Sequence, residues 1–196
     1  MSKMIHKKYF DLLKHFLEDY AKELYGRELL KKTPVSQKAI ALALAELEVK
    51  GILKSRKQGN IKYFRFNLEH SEIKDILLSL ETARKLEFFK KERKMAHLFK
   101  EDHRIVGIFG SYVKGTARED SDIDVFVIGG KMKQDYDAQG RNFDLHISLK
   151  YFSEREFIAL IKQKNPLCKE IIKHHVLVFG IERFISLLWK WYYDFN

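Results

Sequence analysis

The sequence predicts an α/β (α+β) protein in which a helix-rich first module is joined by a long helix to a small mixed sheet flanked by helices. Three observations support this fold class. Apolar residues recur at helical spacing through most of the first hundred residues. After His103 the pattern changes to short apolar strands separated by helical segments. The chain has 196 residues and is 45% hydrophobic, so it can bury real cores.

The first module combines three helices with a pair of strands. The predicted elements are helices at 5–20, 23–32 and 36–50, strands at 52–57 and 61–68, and one long charged helix at 71–100. Gly59 and Asn60 lie between the two strands, and both tolerate the positive φ of a tight hairpin turn. We therefore expect an antiparallel hairpin after the third helix.

The second module alternates strands with helices. The predicted strands are 105–109, 123–128, 143–149 and 176–179, and the predicted helices are 153–164, 166–174 and 181–193. The polar stretch 129–142 is short and leaves little room for a further helix. The expected organisation is a domain at 1–69, a connecting helix at 70–100 and a second domain at 101–196.

The positive charge of the chain is concentrated in its first half. The formal net charge is +10, and residues 1–100 hold 23 Lys and Arg against 13 Asp and Glu, whereas the two signs balance in residues 101–196. This asymmetry favours a module that binds a polyanion, attached to a neutral one. The alternative is that the surplus lysine only keeps the first half soluble.

Other features of the sequence indicate the compartment. There is no run of eighteen apolar residues, and the first ten residues carry charge without an apolar signal segment. Cys168 is the single cysteine, which excludes an internal disulfide and a cysteine-rich zinc site. We expect a cytoplasmic protein with no membrane partner.

The segment 26–53 resembles a helix-turn-helix. Ser36 can cap the helix that follows the turn at Pro34, and apolar residues at helical spacing give that helix a buried face. With the basic hairpin as a wing, the resemblance implies a winged helix-turn-helix that binds double-stranded DNA. The candidate DNA contacts are Ser36, Gln37 and Lys38 on the helix and Arg56, Lys57 and Lys62 in the hairpin. A protein-docking module and a purely structural module are the alternatives.

Three aspartates in the second half have the pattern of a metal site. Asp122 and Asp124 are two residues apart at the start of an apolar strand, so their side chains project from the same face. Two adjacent carboxylates repel each other unless a cation neutralises them, and hard divalent ions prefer such oxygen ligands. Asp144 stands between apolar neighbours on the next predicted strand and is expected to complete the site.

A candidate phosphate-binding turn precedes these aspartates. Gly110 and Ser111 follow a buried strand, and backbone N–H groups with a serine hydroxyl suit a phosphate. Lys114 can supply a counter-charge, and Gly115 follows it. The Walker pattern is absent because Gly115 is followed by Thr116.

The segment GSYVKGTAREDSDIDVFVI, with the later Asp144, resembles the polymerase-β nucleotidyltransferase superfamily, and in particular its minimal nucleotidyltransferases. The resemblance covers about residues 100–180. It implies that Gly110 and Ser111 hold the triphosphate of an NTP and that Asp122 and Asp124 bind two Mg²⁺ or Mn²⁺ ions. Asp144 would bind the catalytic ion and help to activate the acceptor hydroxyl. Lys114 and Gly115 stand where the family often has Arg-Gly.

The resemblance implies an enzyme that moves a nucleoside monophosphate from an NTP to an acceptor hydroxyl. The acceptor is a protein side chain, a small molecule or an RNA end. The rival hypothesis is a DNA-binding regulator whose nucleotidyltransferase domain senses nucleotide without turnover. Because helix-turn-helix modules commonly act as two-fold dimers, we also expect a homodimer with contacts through helix 71–100 or helix 5–20.

Overall fold

The structure, a computed structural model, describes residues 7–131 and 136–194. The chain forms two compact units, residues 1–80 and residues 81–196. The division falls inside one helix, α4 (Ile73–Lys91). Among the described residues, no helix is long and apolar enough to cross a membrane.

The first unit consists of short helices and a three-stranded antiparallel sheet. In chain order its elements are α1 (Lys7–Leu13), a 3-10 turn (Lys14–Phe16), β1 (Leu24–Tyr25), α2 (Gly26–Leu30), α3 (Gln37–Val49), β2 (Leu53–Gln58), β3 (Ile61–Phe66) and the start of α4. The strand order is β1-β3-β2. The helix expected at 5–20 ends earlier than predicted, since α1 ends at Leu13, and its predicted start at residue 5 lies outside the described residues. The expected helix at 23–32 begins only at Gly26, because Leu24 pairs with Phe64 of β3.

The predicted third helix and the hairpin are both present. Ser36 caps α3, and its hydroxyl accepts a hydrogen bond from the Ala39 N–H at 3.3 Å. The buried face of α3 consists of Ile40, Ala43, Leu44 and Leu47, as the spacing predicts. Strands β2 and β3 pair along their whole length, and Gly59 has φ +58° in the turn between them.

The long helix predicted at 71–100 is interrupted. Helix α4 ends at Lys91, and Glu92 leaves the helical region with φ −102° and ψ 62°. A short helix, α5 (Arg93–Ala96), follows. The break redirects the chain so that Met95 and Leu98 enter the core of the second unit, where they are 3% and 0% exposed. The prediction of one continuous helix at 70–100 was therefore wrong from Glu92 onward.

The second unit is a four-stranded mixed sheet with helices. Its further elements are β4 (Ile105–Phe109), α6 (Ser111–Lys114), β5 (Ile123–Ile128), α7 (Tyr136–Arg141), β6 (Ile147–Phe152), α8 (Glu154–Lys162), α9 (Pro166–Lys173), β7 (His175–Phe179) and α10 (Ile181–Asp194). The strand order is β6-β5-β4-β7, and only β5 and β6 are parallel. Helix α7 occupies a stretch in which the sequence predicted no helix.

A buried polar pair links α4 to β7 within the second unit. Glu81 and His175 are both fully buried, and His175 Nε2 lies 3.3 Å from Glu81 Oε1. His175 Nδ1 lies 2.8 Å from the Ile171 carbonyl oxygen, which can only accept, so this nitrogen carries a hydrogen. A hydrogen bond between Nε2 and the carboxyl then needs one further proton, shared by the pair. The Arg84 guanidinium lies 3.6 Å from the second oxygen of Glu81, so the buried carboxyl group has a cation beside it as well.

A second buried network ties the start of β4 to α7. Arg104 donates to Asp102 at 2.6 Å and 3.0 Å and to the Gly130 carbonyl at 2.9 Å. The Tyr136 hydroxyl also donates to Asp102, at 2.6 Å. Burial alone would raise the pKa of Asp102, but these hydrogen bonds outweigh it and lower the pKa from 3.8 to about 2. The ionised carboxylate therefore stabilises the fold.

This network gives a prediction for stability against pH. Because the folded pKa of Asp102 is lowered, its contribution is complete above pH 3.8 and is lost as pH falls through about 2. A shift of this size corresponds to roughly 2 kcal/mol. We expect D102N to be less stable than the wild type at neutral pH, with the difference shrinking as pH approaches 2. Urea unfolding across that range measures it, and a constant difference would contradict the prediction.

Candidate active site

Four strand ends meet at one edge of the sheet of the second unit. Strand β4 is antiparallel to both β5 and β7, and β5 is parallel to β6. The C-terminal end of β4 therefore lies between the N-terminal ends of β5 and β7, and β6 also begins at this end of the sheet. This edge brings the turn at Gly110 next to the aspartates that begin β5.

The turn after β4 contacts one of these aspartates directly. Phe109 pairs with Asp124 across β4 and β5, and Gly110 then turns away with φ +75° and ψ −147°. A Cβ atom on Gly110 would lie 2.3 Å from Asp124 Oδ2. Only glycine satisfies both the positive φ and this close approach. The predicted phosphate turn and the predicted carboxylate pair are therefore in one place.

The electrostatics of Asp124 suit a cation. Asp122 is exposed, whereas Asp124 is half-buried on the same face of β5. Burial raises the pKa of the Asp124 carboxyl, and the negative charges of Asp122 and Glu170 act in the same direction. A hydrogen bond with Ser148 and the charge of Lys150 oppose them without cancelling them. The net effect is a raised pKa, so a cation beside Asp124 would stabilise its ionised form.

The residues after Gly110 form a single turn of helix. Ser111 begins α6 and is half-buried, and Gly115 ends it in the left-handed region with φ +71°. Thr116 donates its N–H to the Ser111 carbonyl at 2.9 Å. Lys114, the predicted phosphate counter-charge, forms an ion pair with Glu170 of α9. Its ammonium is therefore engaged by a carboxylate in this structure.

Asp144 does not lie on the strand that the sequence predicted. Strand β6 begins at Ile147 instead of residue 143, and Asp144 is exposed, with φ +55°. The chain is still turning there, because Phe143 and Leu145 both donate their N–H groups to the Gly140 carbonyl, at 2.9 Å and 3.0 Å. Within residues 7–131 and 136–194, no three His, Cys, Asp or Glu side chains are arranged to hold a metal ion.

Three residues at this site were missed by the sequence analysis. The register of β5 and β6 places Ser148 beside Asp124, and Lys150 follows on the same face of β6. Glu170 comes from α9. The alternation of Ser148 and Lys150 with apolar neighbours was a signal for the polar face of β6, but no local pattern indicates Glu170.

The candidate DNA contacts lie in the first unit and differ in their surroundings. Ser36, Gln37 and Lys38 are exposed at the start of α3, and Lys57 is exposed in β2. Arg56 donates to both oxygens of Glu23 at 2.5–2.9 Å, and Lys62 forms an ion pair with Glu48 at 2.6 Å. Part of the positive charge of the hairpin is thus neutralised locally.

Comparison with known proteins agrees with the geometry of the second unit. The family described as Polymerase beta, Nucleotidyltransferase matches residues 93–183, a segment that includes all four strands of the mixed sheet. No curated protein and no solved structure matches the chain. The family match supports the polymerase-β-like superfamily for residues 93–183 and, at the family level, nucleotidyl transfer as the activity of this segment.

Proposed function

We propose that the protein is a metal-dependent nucleotidyltransferase that moves a nucleoside monophosphate from an NTP to an acceptor hydroxyl. The observation that carries the proposal is the contact between Gly110 and Asp124. It joins a backbone turn suited to phosphate with a carboxylate pair suited to a divalent cation. A protein side chain, a small molecule and an RNA end remain the candidate acceptors.

Asp122 and Asp124 are two residues apart at the start of β5, so they are the carboxylates that fit a divalent cation. Asp122 and Asp124 would hold it, since the pKa of Asp124 is raised by burial and by neighbouring negative charge that a cation would offset. A bound Mg²⁺ or Mn²⁺ would supply Lewis-acid stabilisation of phosphate oxygens. Gly110 and Ser111 would orient the triphosphate, and Lys114 would offset its charge once released from Glu170.

A second candidate function is favoured by the position of Asp144. This carboxylate lies on a turn three residues before β6, and the β6 residue that pairs with Asp124 is Ser148. The proposed transferase needs a group to help activate the acceptor hydroxyl, whereas a nucleotide sensor does not. The alternative is therefore a regulator that binds NTP without turnover. NTP binding accompanied by pyrophosphate release separates the transferase from the sensor.

For the first unit, we propose binding of double-stranded DNA. The support is the excess positive charge of residues 1–80, which hold 16 Lys and Arg against 10 Asp and Glu, and the exposure of Gln37, Lys38 and Lys57. In this proposal the N-terminal unit brings the enzyme to DNA or allows it to act on its own gene.

The carboxylate pair is tested by replacing both aspartates. We expect D122N/D124N to keep its fold and to lose divalent-dependent NTP affinity by more than about tenfold, because the cation loses its charged ligands. Calorimetric titration with NTP and Mg²⁺ measures the affinity. D120N is the matched control, since Asp120 is an exposed carboxylate in the adjoining loop. Equal affinities in the two variants would refute the assignment.

The ion pair at Lys114 leads to a separate prediction. We expect E170Q to bind NTP more tightly than the wild type, by about two- to fivefold, because Lys114 becomes available to phosphate. K114A should bind more weakly, and K114A/E170Q should show no gain over K114A. The same titration measures all three variants. A gain that persists without Lys114 would show that Glu170 acts on the ligand or on Asp124 and not through Lys114.

The DNA proposal is tested on the full chain. We expect affinity for duplex DNA to fall steeply as salt rises, and K38A/K57A to flatten that dependence, because fewer counterions are released. R56A should change it less, since Glu23 already neutralises Arg56. Fluorescence anisotropy with labelled duplex at several salt concentrations measures the slopes. No binding at low salt would exclude this role.

A further inference from the structure

An exposed pair of aromatic rings lies beside the candidate active site. Phe143 directly precedes Asp144 and is 39% exposed, although it is a large apolar side chain. The exposed ring of His97 lies nearly parallel to it, with an angle of 20° between the ring planes and 6.3 Å between their centroids. Together the two rings offer water a flat surface on which another planar group can stack.

Backbone hydrogen bonds fix the place of Phe143 relative to the site. Its N–H group donates to the Gly140 carbonyl at 2.9 Å, which holds the turn before β6. Three residues later, the His146 carbonyl accepts a hydrogen bond from the N–H of Ile123 at 2.8 Å. Ile123 lies between the two aspartates of the carboxylate pair, and three residues span at most about 11 Å. Phe143 is therefore close to the point where β5 begins.

Basic side chains share a helix face with His97. Arg93 and Lys94 are exposed at the start of α5, and the helical backbone conformation continues as far as His97. They precede His97 by four and three residues, the spacings that bring side chains together on one face of a helix. Among the residues that the structure describes, no carboxylate forms an ion pair with either cation. Both are therefore available to a negatively charged ligand.

The beginning of this segment is also near the site. Burial raises the pKa of the Tyr112 hydroxyl, and the negative charges of Glu92 and Asp122 are among those that act in the same direction. Tyr112 belongs to α6, the turn of helix that follows the candidate phosphate turn, and Glu92 directly precedes α5. The segment 92–97 therefore runs from the neighbourhood of α6 to the aromatic pair.

Exposed rings and unpaired cations in one place match the chemistry of a single-stranded nucleic acid. Its bases stack on flat side chains, and its phosphates are neutralised by lysine and arginine. A protein side chain that bears the acceptor hydroxyl brings no phosphates to pair with Arg93 and Lys94. Charge complementarity therefore favours a nucleic-acid end among the candidate acceptors.

We propose that Phe143, His97 and the two cations of α5 hold the hydroxyl-bearing end of a single-stranded nucleic acid as the acceptor. This inference rests on the proposed nucleotidyl transfer. The terminal hydroxyl oxygen forms a bond to the α-phosphorus of the NTP, the bond from that phosphorus to the oxygen of the β-phosphate breaks, and pyrophosphate leaves. The hydroxyl proton passes to solvent. A base near the end stacks on Phe143, and neighbouring phosphates contact Arg93 and Lys94.

Binding of a fluorescently labelled single-stranded RNA to the full chain tests the aromatic surface. F143L should weaken binding by about fivefold or more, because leucine keeps apolar volume but has no ring on which a base can stack. F143Y should bind as the wild type does. L86A is the matched control, since Leu86 is 57% exposed on α4 and lies away from the rings in sequence and element. Fluorescence anisotropy measures the affinities, and equal affinities of F143L and the wild type would overturn the proposal.

The cations are tested by the salt dependence of the same binding. R93Q/K94Q should flatten it, because fewer counterions are released when two cations are missing. K38A/K57A should leave it unchanged, since both of these lysines belong to the first unit. A change in K38A/K57A with none in R93Q/K94Q would place the oligonucleotide on the first unit and exclude the proposal.

Extension of the oligonucleotide separates this inference from the proposed function. With NTP and Mg²⁺, the wild type should lengthen the strand at its terminal hydroxyl, and F143L should do so more slowly while its NTP affinity stays the same. A DNA strand of the same sequence, run in parallel, decides whether the end comes from RNA or from DNA. NTP binding that depends on the carboxylate pair, without binding or extension of either strand, would overturn this inference alone. A wild type that binds no NTP would defeat the proposed function, and the acceptor role with it.

Discussion

The close approach of the Gly110 backbone to the Asp124 carboxylate is the constraint on which the candidate site depends. It requires Phe109 to lie opposite Asp124, which fixes the antiparallel register of β4 and β5. It also partly removes the carboxylate from water, and this burial raises the pKa of Asp124. Gly107, within β4, serves the same pairing, because a Cβ atom there would lie 2.4 Å from the Phe126 ring.

The parts of the site that could be predicted from sequence are those set by local patterns. Strand β4 is apolar throughout and β5 is apolar apart from Asp124, which leaves little freedom in their bounds, and Gly110 follows the end of β4. Asp144 was misplaced because the start of β6 depends on where α7 ends, and α7 lies in a polar stretch without apolar spacing. Ser148 is close to Asp124 through strand register, which only the folded sheet defines.

Long-range ion pairs limit what can be concluded from net charge. The surplus of lysine and arginine in the first hundred residues is real, yet Arg56 and Lys62 each contact a carboxylate of the same unit. Lys114 of the second unit is engaged in the same way by Glu170, 56 positions away. The net charge counted from the sequence describes the electrostatic field far from the protein. Which cations remain available to a ligand depends on contacts between residues that are distant in the sequence.

The buried pair of Glu81 and His175 has a consequence for the order in which the chain folds during synthesis. The two residues are 94 positions apart, so Glu81 cannot meet its partner until β7 has left the ribosome. Strand β7 also completes the sheet beside β4. The second unit therefore acquires its native core only when most of the chain has been made. The first unit ends at residue 80 and is free to fold well before that point.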